Sequence, residues 1–191
     1  GRPERVVAAE NESVARAATD GFHAAPISLH AGGIAVVVHA AVRHAYAPAD
    51  LVAETADNVL GTARLLSSLG ALAARPRLVA IGSSTEYGRA PGPLAEGTSL
   101  APVTSRGATK AAASLLVLAE HAAGRIEAGV LRPFTVYGPG EDPVRLIPAA
   151  IRAALEGTEL PLAPLDAAHD LVYVDDVARA CAIAARSPRF P

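Results

Sequence analysis

Short β-branched runs that alternate with helix-like segments constrain the fold of this chain more than any other feature. Residues 34–38, 77–81 and 128–131 are continuous, mainly apolar runs, which are typical of strands buried on both faces of a parallel sheet. Between them, residues 48–69 and 104–124 place apolar side chains every three or four positions, as amphipathic helices do. The alternation predicts an α/β fold in which crossover helices join parallel strands.

The C-terminal part of the chain continues the same alternation. Residues 144–156 and 176–185 are predicted to be helices and residues 171–174 a strand, whereas residues 132–140 are rich in Pro and Gly and predict a turn. The first thirty residues have little periodicity, and at most one short helix, near 11–19, is expected there. A chain of 191 residues, of which 51% are hydrophobic, is expected to bury one core and to form a single domain.

Composition disfavours several classes of function. The formal net charge is −2, without an acidic or basic excess, which disfavours nucleic acid or an anionic membrane as a partner. The longest strongly apolar stretch, 32–42, is far shorter than the roughly 20 residues that a membrane-spanning helix needs. The single cysteine, Cys181, excludes an internal disulfide and is expected in the core, so a cytoplasmic protein is predicted.

Small and polar residues follow three of the predicted strands. They are His-Ala-Ala at 39–41, Gly-Ser-Ser at 82–84 and Arg-Pro-Phe-Thr-Val-Tyr-Gly at 132–138. In open parallel sheets, ligands bind beyond the carboxyl ends of the strands, so these residues predict a binding cleft. A tight turn would explain each one alone, but the three together favour the cleft.

Lysine usage singles out one side chain in the second predicted helix. The chain contains 17 lysines and arginines, and all but Lys110 are arginine. A lysine ammonium is a compact charge whose donors can converge on one hydroxyl group, whereas arginine presents a planar fork. Lys110 is therefore a candidate for binding a ligand hydroxyl, although chance would also leave one lysine on a surface.

Six motifs stand in a fixed order along the chain. They are Val-Val-Val-His-Ala-Ala at 36–41, Asn-Val-Leu-Gly-Thr at 58–62, Gly-Ser-Ser-Thr-Glu-Tyr-Gly at 82–88, Gly-Ala-Thr-Lys-Ala-Ala-Ala at 107–113, Leu-Arg-Pro-Phe-Thr-Val-Tyr-Gly-Pro-Gly at 131–140 and Asp-Leu-Val-Tyr-Val-Asp-Asp at 170–176. With this order and spacing, the chain resembles the extended short-chain dehydrogenase/reductases that act on nucleotide sugars. The resemblance covers nearly everything from residue 34 to residue 185.

The resemblance implies a fold, a cofactor and a substrate. The fold would be a Rossmann-like doubly wound parallel sheet with a small C-terminal substrate-binding portion, to which residues 139–175 contribute. NAD or NADP would be the cofactor, and a nucleotide sugar the substrate. Family members often form homodimers through four helices, here the segments 48–69 and 106–124, although core burial explains the apolar faces of both segments equally well.

On the cofactor side, the resemblance implies that Ala40 and Ala41 line the dinucleotide. Lys110 would bind the nicotinamide ribose, and Pro133 and Val136 would border the nicotinamide. The cofactor site would therefore lie along the edge where the strands end.

On the substrate side, the resemblance implies that Ser83 bonds the reacting oxygen of the sugar. Ser84 and Thr85 follow it and would also contact the substrate, and Arg145 would enter the sugar-nucleotide side of the cleft. His169 occupies the place where the family commonly has an arginine on the diphosphate. A neutral histidine would hold that diphosphate less firmly.

The main departure from the family pattern is at its catalytic tyrosine. That tyrosine stands one helical turn before the lysine, and here the position is Arg106. A tyrosine hydroxyl can exchange a proton as hydride moves, whereas an arginine stays protonated and can only stabilise an oxyanion. Either Ser83 is the direct proton partner while Arg106 holds the alkoxide, or Tyr46 reaches the cleft, although a surface position would also explain Tyr46.

Two further departures concern the reaction and the cofactor phosphates. The carboxylate of Glu86 is displaced by one residue from the dehydratase acid, so dehydratase is a weaker interpretation than epimerase or ketoreductase. No Gly-x-x-Gly-x-x-Gly turn precedes residue 34, so the first βαβ unit is expected to be absent. A chain that opens with Gly1 and lacks methionine is expected to be a piece of a longer protein. If complete, it would bind NAD weakly.

Two functions of different class remain open at this point. The first is an NAD(P)-dependent nucleotide-sugar epimerase or ketoreductase with an altered proton-transfer site at Ser83, Lys110 and Arg106. The second is a catalytically degenerate relative that binds a dinucleotide or a protein. No metal site is predicted, because metal-ligand spacing is missing around the remaining histidines, His23, His30, His44 and His121.

Overall fold

A three-stranded parallel sheet lies at the centre of the structure, a computed structural model that describes residues 35–41, 50–73, 75–89, 92–161 and 169–188. The predicted helix near 11–19, Tyr46 and the histidines at 23, 30 and 44 lie outside the described residues. The strands are β1 (Val36–His39), β2 (Arg77–Ile81) and β3 (Ala128–Leu131), in the spatial order β1–β2–β3. Both strand pairs are parallel, as the alternation of strands and helices predicts.

Helix α1 connects β1 to β2 and contains a widened turn. It is α-helical at Leu51–Glu54, π-helical at Thr55–Leu60 and α-helical again at Gly61–Gly70. The backbone N–H of Gly61 bonds the carbonyl of Ala56, five residues earlier, which is the π-helical pattern. The spacing of apolar residues predicts this helix but not its widened turn.

Helix α2 (Ser105–Ala122) connects β2 to β3. The hydroxyl of Thr104 accepts a hydrogen bond from the backbone N–H of Gly107 at 3.0 Å, and this cap fixes the start of the helix. Just past the helix, Gly124 has a φ of +69°, a backbone conformation that favours glycine. Both ends agree with the sequence prediction.

The C-terminal part adds a second, two-stranded parallel sheet. Strand β4 (Thr135–Tyr137) pairs with β5 (Leu171–Tyr173), and helix α3 (Leu146–Glu156) lies between them in sequence. Helix α4 (Val174–Arg186) follows β5 directly, so Val174 begins a helix instead of ending the predicted strand. Strand β4 lies inside the segment predicted as a turn. That prediction was wrong there because three residues are too few for a recognisable period.

Helices cover both faces of the three-stranded sheet. Leu78 and Ala80 of β2 pack against α1 and α2, in a core completed by Leu65, Leu66, Leu69, Val117, Ile126 and Ala128. Val79, which points to the opposite face, packs against α4 through Cys181 and Ala184. This two-sided arrangement is the expected Rossmann-like α/β architecture, and Cys181 is buried as predicted.

Candidate active site

The three parallel strands end at one edge of the sheet, as the sequence predicts. The backbone N–H of Gly82 donates to the carbonyl of Leu131 at 2.7 Å, and that of Ser84 donates to the carbonyl of Pro133 at 3.2 Å. The residues that follow β2 and β3 are therefore held side by side. A short 3₁₀ turn, Ser84–Glu86, then carries the chain away from the edge.

A small pocket of about 10 Å³, room for roughly one water molecule, lies at this edge beside Lys110. It brings together the ends of β1 and β2 and the facing surfaces of α1 and α2. The side chains and backbone that line it belong to His39, Ala41, Asn58, Thr62, Ala80, Ile81, Lys110, Ala113, Ser114 and Val117. Of the residues predicted to bind the cofactor, Ala41 and Lys110 thus line one pocket, whereas Ala40 does not line it.

The ammonium group of Lys110 lies against the end of β2. Its Nζ donates a hydrogen bond to the carbonyl of Ile81 at 2.6 Å. Burial lowers the pKa of Lys110, the carboxylate of Glu86 opposes that shift, and the charge of Arg106 adds to it. The lone lysine is therefore held at the edge where the strands end instead of extending into bulk solvent.

His39 is neutral and oriented by a threonine. Its Nε2 lies 3.0 Å from Oγ1 of Thr62, and that hydroxyl donates its single proton to the carbonyl of Asn58 at 2.6 Å. Thr62 must therefore accept from His39, which assigns the imidazole proton to Nε2. Burial, reinforced by the charge of Lys110, lowers the pKa of His39 from 6.5 to about 4.

Asn58 connects the widened turn of α1 to the start of α2. Its Nδ2 donates to Oγ1 of Thr109 at 3.0 Å, and that hydroxyl donates to the carbonyl of Arg106 at 3.1 Å. The side-chain oxygen of Asn58 is buried and has no hydrogen-bond partner in the part of the chain that the structure describes. Asn58 therefore joins α1 to α2 beside Lys110, a contact between distant segments that has no local sequence signal.

Glu86 is completely buried next to the edge of the sheet. Its carboxylate accepts hydrogen bonds from Nε of Arg132 at 2.6 Å, from the backbone N–H of Ser83 at 2.8 Å and from the hydroxyl of Ser114 at 3.0 Å. A carboxylate held in this way does not face a substrate. The sequence could not show these contacts, because Arg132 and Ser114 are 46 and 28 residues away along the chain.

The hydroxyl groups of Ser83 and Thr85 are adjacent. Oγ of Ser83 accepts from Oγ1 of Thr85 at 2.8 Å and from its backbone N–H at 3.2 Å. Because Thr85 supplies these protons, the proton of the Ser83 hydroxyl is left for a third group. Arg106 stands one helical turn before Lys110 on α2 and is half-buried.

The chain matches a known family over nearly its whole length. Residues 19–190 match the sequence profile of the NAD dependent epimerase/dehydratase family. The chain belongs to this family. A relative in the family, dTDP-6-deoxy-L-talose 4-dehydrogenase (NAD(P)(+)) from Kitasatospora kifunensis, is 37% identical over 142 residues, which cover 70% of this chain and 45% of the relative.

Solved structures of epimerases and related enzymes share the fold. UDP-glucuronic acid 4-epimerase from Bacillus cereus, in complex with UDP-glucuronic acid and NAD, aligns with a TM-score of 0.73 and 26% identity over 82% of this chain and 51% of that one. MoeE5, in complex with UDP-glucose and NAD, aligns with a TM-score of 0.69 and 36% identity over 80% of this chain and 52% of that one. The chain spans about half the length of these proteins.

Several residues that the family pattern assigns to ligands lie outside the pocket around Lys110. Pro133 follows β3, and Val136 is in strand β4 rather than in a turn. Arg145 stands at the start of α3, where its Nε donates to Glu141 at 3.0 Å, and His169 is exposed just before β5. In the structure, Lys110 and Ala41 thus line one pocket, and the backbone of Ser84 is bonded to that of Pro133. Arg145 and His169, on the predicted substrate side, lie on other elements.

Among the described residues, no three His, Cys, Asp or Glu side chains are placed to hold a metal ion. None of the described helices is both long and apolar enough to cross a membrane.

Proposed function

We propose that this chain is the dinucleotide-binding part of an NAD(P)-dependent nucleotide-sugar ketoreductase or epimerase. The observation that carries the proposal is the Lys110 ammonium, which is held 2.6 Å from the carbonyl of Ile81 at the edge where three parallel strands end. The likeness to a dTDP-6-deoxy-L-talose 4-dehydrogenase supports a hydride transfer at a sugar carbon.

The residues at this edge fit the nicotinamide half of NAD(P). Ala40 and Ala41 carry only methyl groups beyond the end of β1, so a flat ring system can approach the backbone there. Lys110 can exchange its bond to Ile81 for bonds to ribose hydroxyls, and we assign the nicotinamide border to Pro133 and Val136. When bound, NAD(P) supplies the group that accepts or donates a hydride.

Ser83 and Arg106 are the groups that we assign to the reacting oxygen. The Ser83 hydroxyl can donate its proton to that oxygen, because Thr85 already supplies both hydrogen bonds that Ser83 accepts. Arg106 remains charged and stabilises negative charge without taking up a proton. Because the Glu86 carboxylate is fully engaged with protein groups, ketoreduction or epimerisation fits the site better than dehydration.

The substrate-side assignments follow the family pattern. Ser84 and Thr85 would contact the substrate. From residues 139–175, Arg145 would enter the sugar-nucleotide side of the cleft, and His169 would stand at the diphosphate. His169 is exposed, and a histidine lacks the planar fork of five N–H donors with which an arginine binds a diphosphate. We further propose a single domain and a homodimer in which α1 and α2 of two copies pack together.

A second candidate function is binding without catalysis. It is supported by Arg106, which stands where the family places its proton-exchanging tyrosine. In that case, the edge where the strands end would bind a dinucleotide, or the chain would bind a protein, and substitutions at Ser83 and Lys110 would leave the biological role intact.

Turnover on a panel of dTDP- and UDP-sugars tests the proposal. A ketoreductase oxidises reduced nicotinamide, so absorbance falls with turnover. An epimerase returns the hydride, so absorbance is unchanged while the sugar product changes in chromatography. Turnover in the wild type that falls in Arg106→Tyr supports an altered proton-transfer site. Turnover that appears only in Arg106→Tyr supports the binding-only candidate.

Calorimetry with NAD and NADP separates the remaining possibilities. Binding of either cofactor that weakens in Lys110→Met supports the cofactor site even before a sugar substrate is known. An absence of both binding and turnover in the intact protein would contradict the enzymatic proposal.

A further inference from the structure

We propose that Glu86 is a positioning residue, which fixes the Ser83 backbone relative to Lys110 and takes no part in proton transfer. Its kinetic consequence rests on the proposed function, but its structural part does not. Glu86 belongs to the 3₁₀ turn Ser84–Glu86 that Ser83 caps, called the Ser83 turn below, and yet it does not line the pocket beside Lys110.

One carboxylate group connects three elements. Oε1 accepts from the Ser83 backbone at 2.8 Å and from the Ser114 hydroxyl at 3.0 Å, while Oε2 accepts from Arg132 at 2.6 Å. Ser83 follows β2, Arg132 follows β3, and Ser114 lies one helical turn after Lys110 on α2. The carboxylate therefore sets the position of the Ser83 turn against the helix that carries the lysine.

The backbone before Ser83 is packed directly onto the carboxylate. A Cβ atom at Gly82 would lie 2.5 Å from Oε1 of Glu86 and 3.0 Å from the Arg132 side chain, so the space between them is filled. The guanidinium of Arg132 also lies over the ring of Tyr87, 5.5 Å from its centroid. This packing holds the carboxylate in one position, and the carboxylate in turn holds the Ser83 turn in place.

The burial of Glu86 is difficult to explain by stability alone. Removing an ion pair from water costs about as much as the pair returns, so a buried pair contributes little to net stability. A buried pair with every oxygen bonded does, however, define a single geometry. Glu86 also opposes the burial-induced lowering of the Lys110 pKa, which is consistent with a carboxylate close to that ammonium.

Glu86→Gln in the intact protein tests the inference. Glutamine keeps the size of the side chain and one acceptor oxygen. It loses the negative charge that pairs with Arg132, and it can no longer accept hydrogen bonds on both terminal atoms. We expect kcat to fall about 10-fold or more, with the nucleotide-sugar KM and the NADH dissociation constant within about 2-fold of the wild type.

Glu120→Gln is the matched control. Glu120 forms an exposed ion pair with Arg125 at 2.6 Å near the other end of the same helix, so its loss should change no kinetic constant. If Glu86→Gln retains the wild-type kcat, or if a lower folded fraction in circular dichroism accounts for the whole fall in kcat, the inference is wrong.

Two additional measurements apply when Glu86→Gln does not fold or when the wild type shows no turnover. If Glu86→Gln does not fold, Ser114→Ala removes one of the three contacts, and an unchanged kcat in that variant contradicts the inference. If the wild type turns over no nucleotide sugar, the proposed function fails, and amide hydrogen exchange still tests the positioning. We then expect the Ser83 N–H to exchange about 10-fold faster in Glu86→Gln than in Glu120→Gln, and equal rates would contradict it.

Discussion

His39 couples the stability of the fold to pH at the scale of a single residue. Burial, together with the charge of Lys110, lowers its pKa from 6.5 to about 4. Protons therefore bind the unfolded chain more readily than the folded one between these two pH values. The contribution of neutral His39 to the free energy of unfolding is therefore complete above pH 6.5, and it is lost as the pH falls toward 4.

We predict that His39→Gln flattens this pH dependence. Glutamine can donate to Thr62 as His39 does, but it does not titrate. From roughly pH 7.5 to pH 5, the free energy of unfolding of the wild type should fall by about 2 kcal/mol more than that of the variant. Urea denaturation at both pH values measures the difference, and parallel losses in the two proteins would contradict the assignment.

Lys110 should be irreplaceable in cofactor binding. We predict that Lys110→Met weakens NADH binding by about 10- to 100-fold, because charged hydrogen bonds to ribose hydroxyls are lost. Lys110→Arg should not restore affinity, since a planar guanidinium cannot converge on one ribose. Fluorescence titration with NADH measures this, with Arg125→Met as a surface control, and full affinity in Lys110→Arg would exclude the proposed role.

Amino-acid type alone predicted some residues of the candidate site but not the contacts between its distant segments. The uniqueness of Lys110 singled out this residue, and the structure places its ammonium at the edge where the strands end, whereas its binding of a ligand stays a prediction. Nothing local in the sequence indicated that Glu86 would bind Arg132 and Ser114, because such contacts depend on how distant elements pack. Buried polar contacts between distant segments have no short-range sequence signal.

At the scale of elements, long and periodic segments were predictable and short ones were not. Strands β2 and β3 occupy the predicted residues, because continuous aliphatic runs leave few alternatives. Strand β4 has only three residues between Pro and Gly positions, and its pairing with β5 is what makes it a strand. The tertiary partner, and not local preference, decides such a case.

The close contact between α2 and the Ser83 turn can be tested by adding a methyl group between these two elements. A Cβ at Gly107 would lie 2.5 Å from the backbone carbonyl oxygen of Thr85, so a side chain there must displace the turn. We predict that Gly107→Ala destabilises the protein by about 2 kcal/mol, although alanine is the better helix former.

Gly70→Ala is the matched control for this substitution. Gly70 ends α1, and a Cβ there would meet no atom within 4 Å. Thermal unfolding should therefore show Gly70→Ala near the wild-type midpoint and Gly107→Ala well below it. Similar midpoints for the two variants would mean that the turn accommodates the methyl group.

At the scale of the whole molecule, α1 and α2 present apolar side chains to the outside. Leu51, Val52 and Leu60 of α1 and Leu115 and Leu118 of α2 are exposed. Their neighbours Leu65, Leu66, Leu69 and Val117 are buried against the sheet, so core burial accounts for only one side of each helix. The outward side is the surface that we assign to the homodimer.

We predict that Leu115→Glu converts a dimer into a monomer. A charged side chain at the centre of an apolar contact between two copies leaves that charge without water. Light scattering after size-exclusion chromatography measures the mass. Leu155→Glu, on the exposed surface of α3, is the control and should leave the mass unchanged. A monomeric wild type would contradict the homodimer.

The overall architecture was predictable because strand and helix patterns alternate without interruption from β1 to α2. Parallel pairing then follows from the connections, and it places the three strand ends together. The second sheet, which depends on residues far apart in the chain, was not foreseen as a separate unit.

The widened turn at Thr55–Leu60 holds one more residue than a regular helical turn would. A chain that lacked one residue there would form a regular helix whose flanking residues keep nearly the same faces, so Glu54 would stay buried. The same deletion in the regular part of α1, at Gly61–Gly70, would instead turn everything on its amino-terminal side by about 100° around the axis. Single-residue deletions should therefore be tolerated better inside the widened turn than after it.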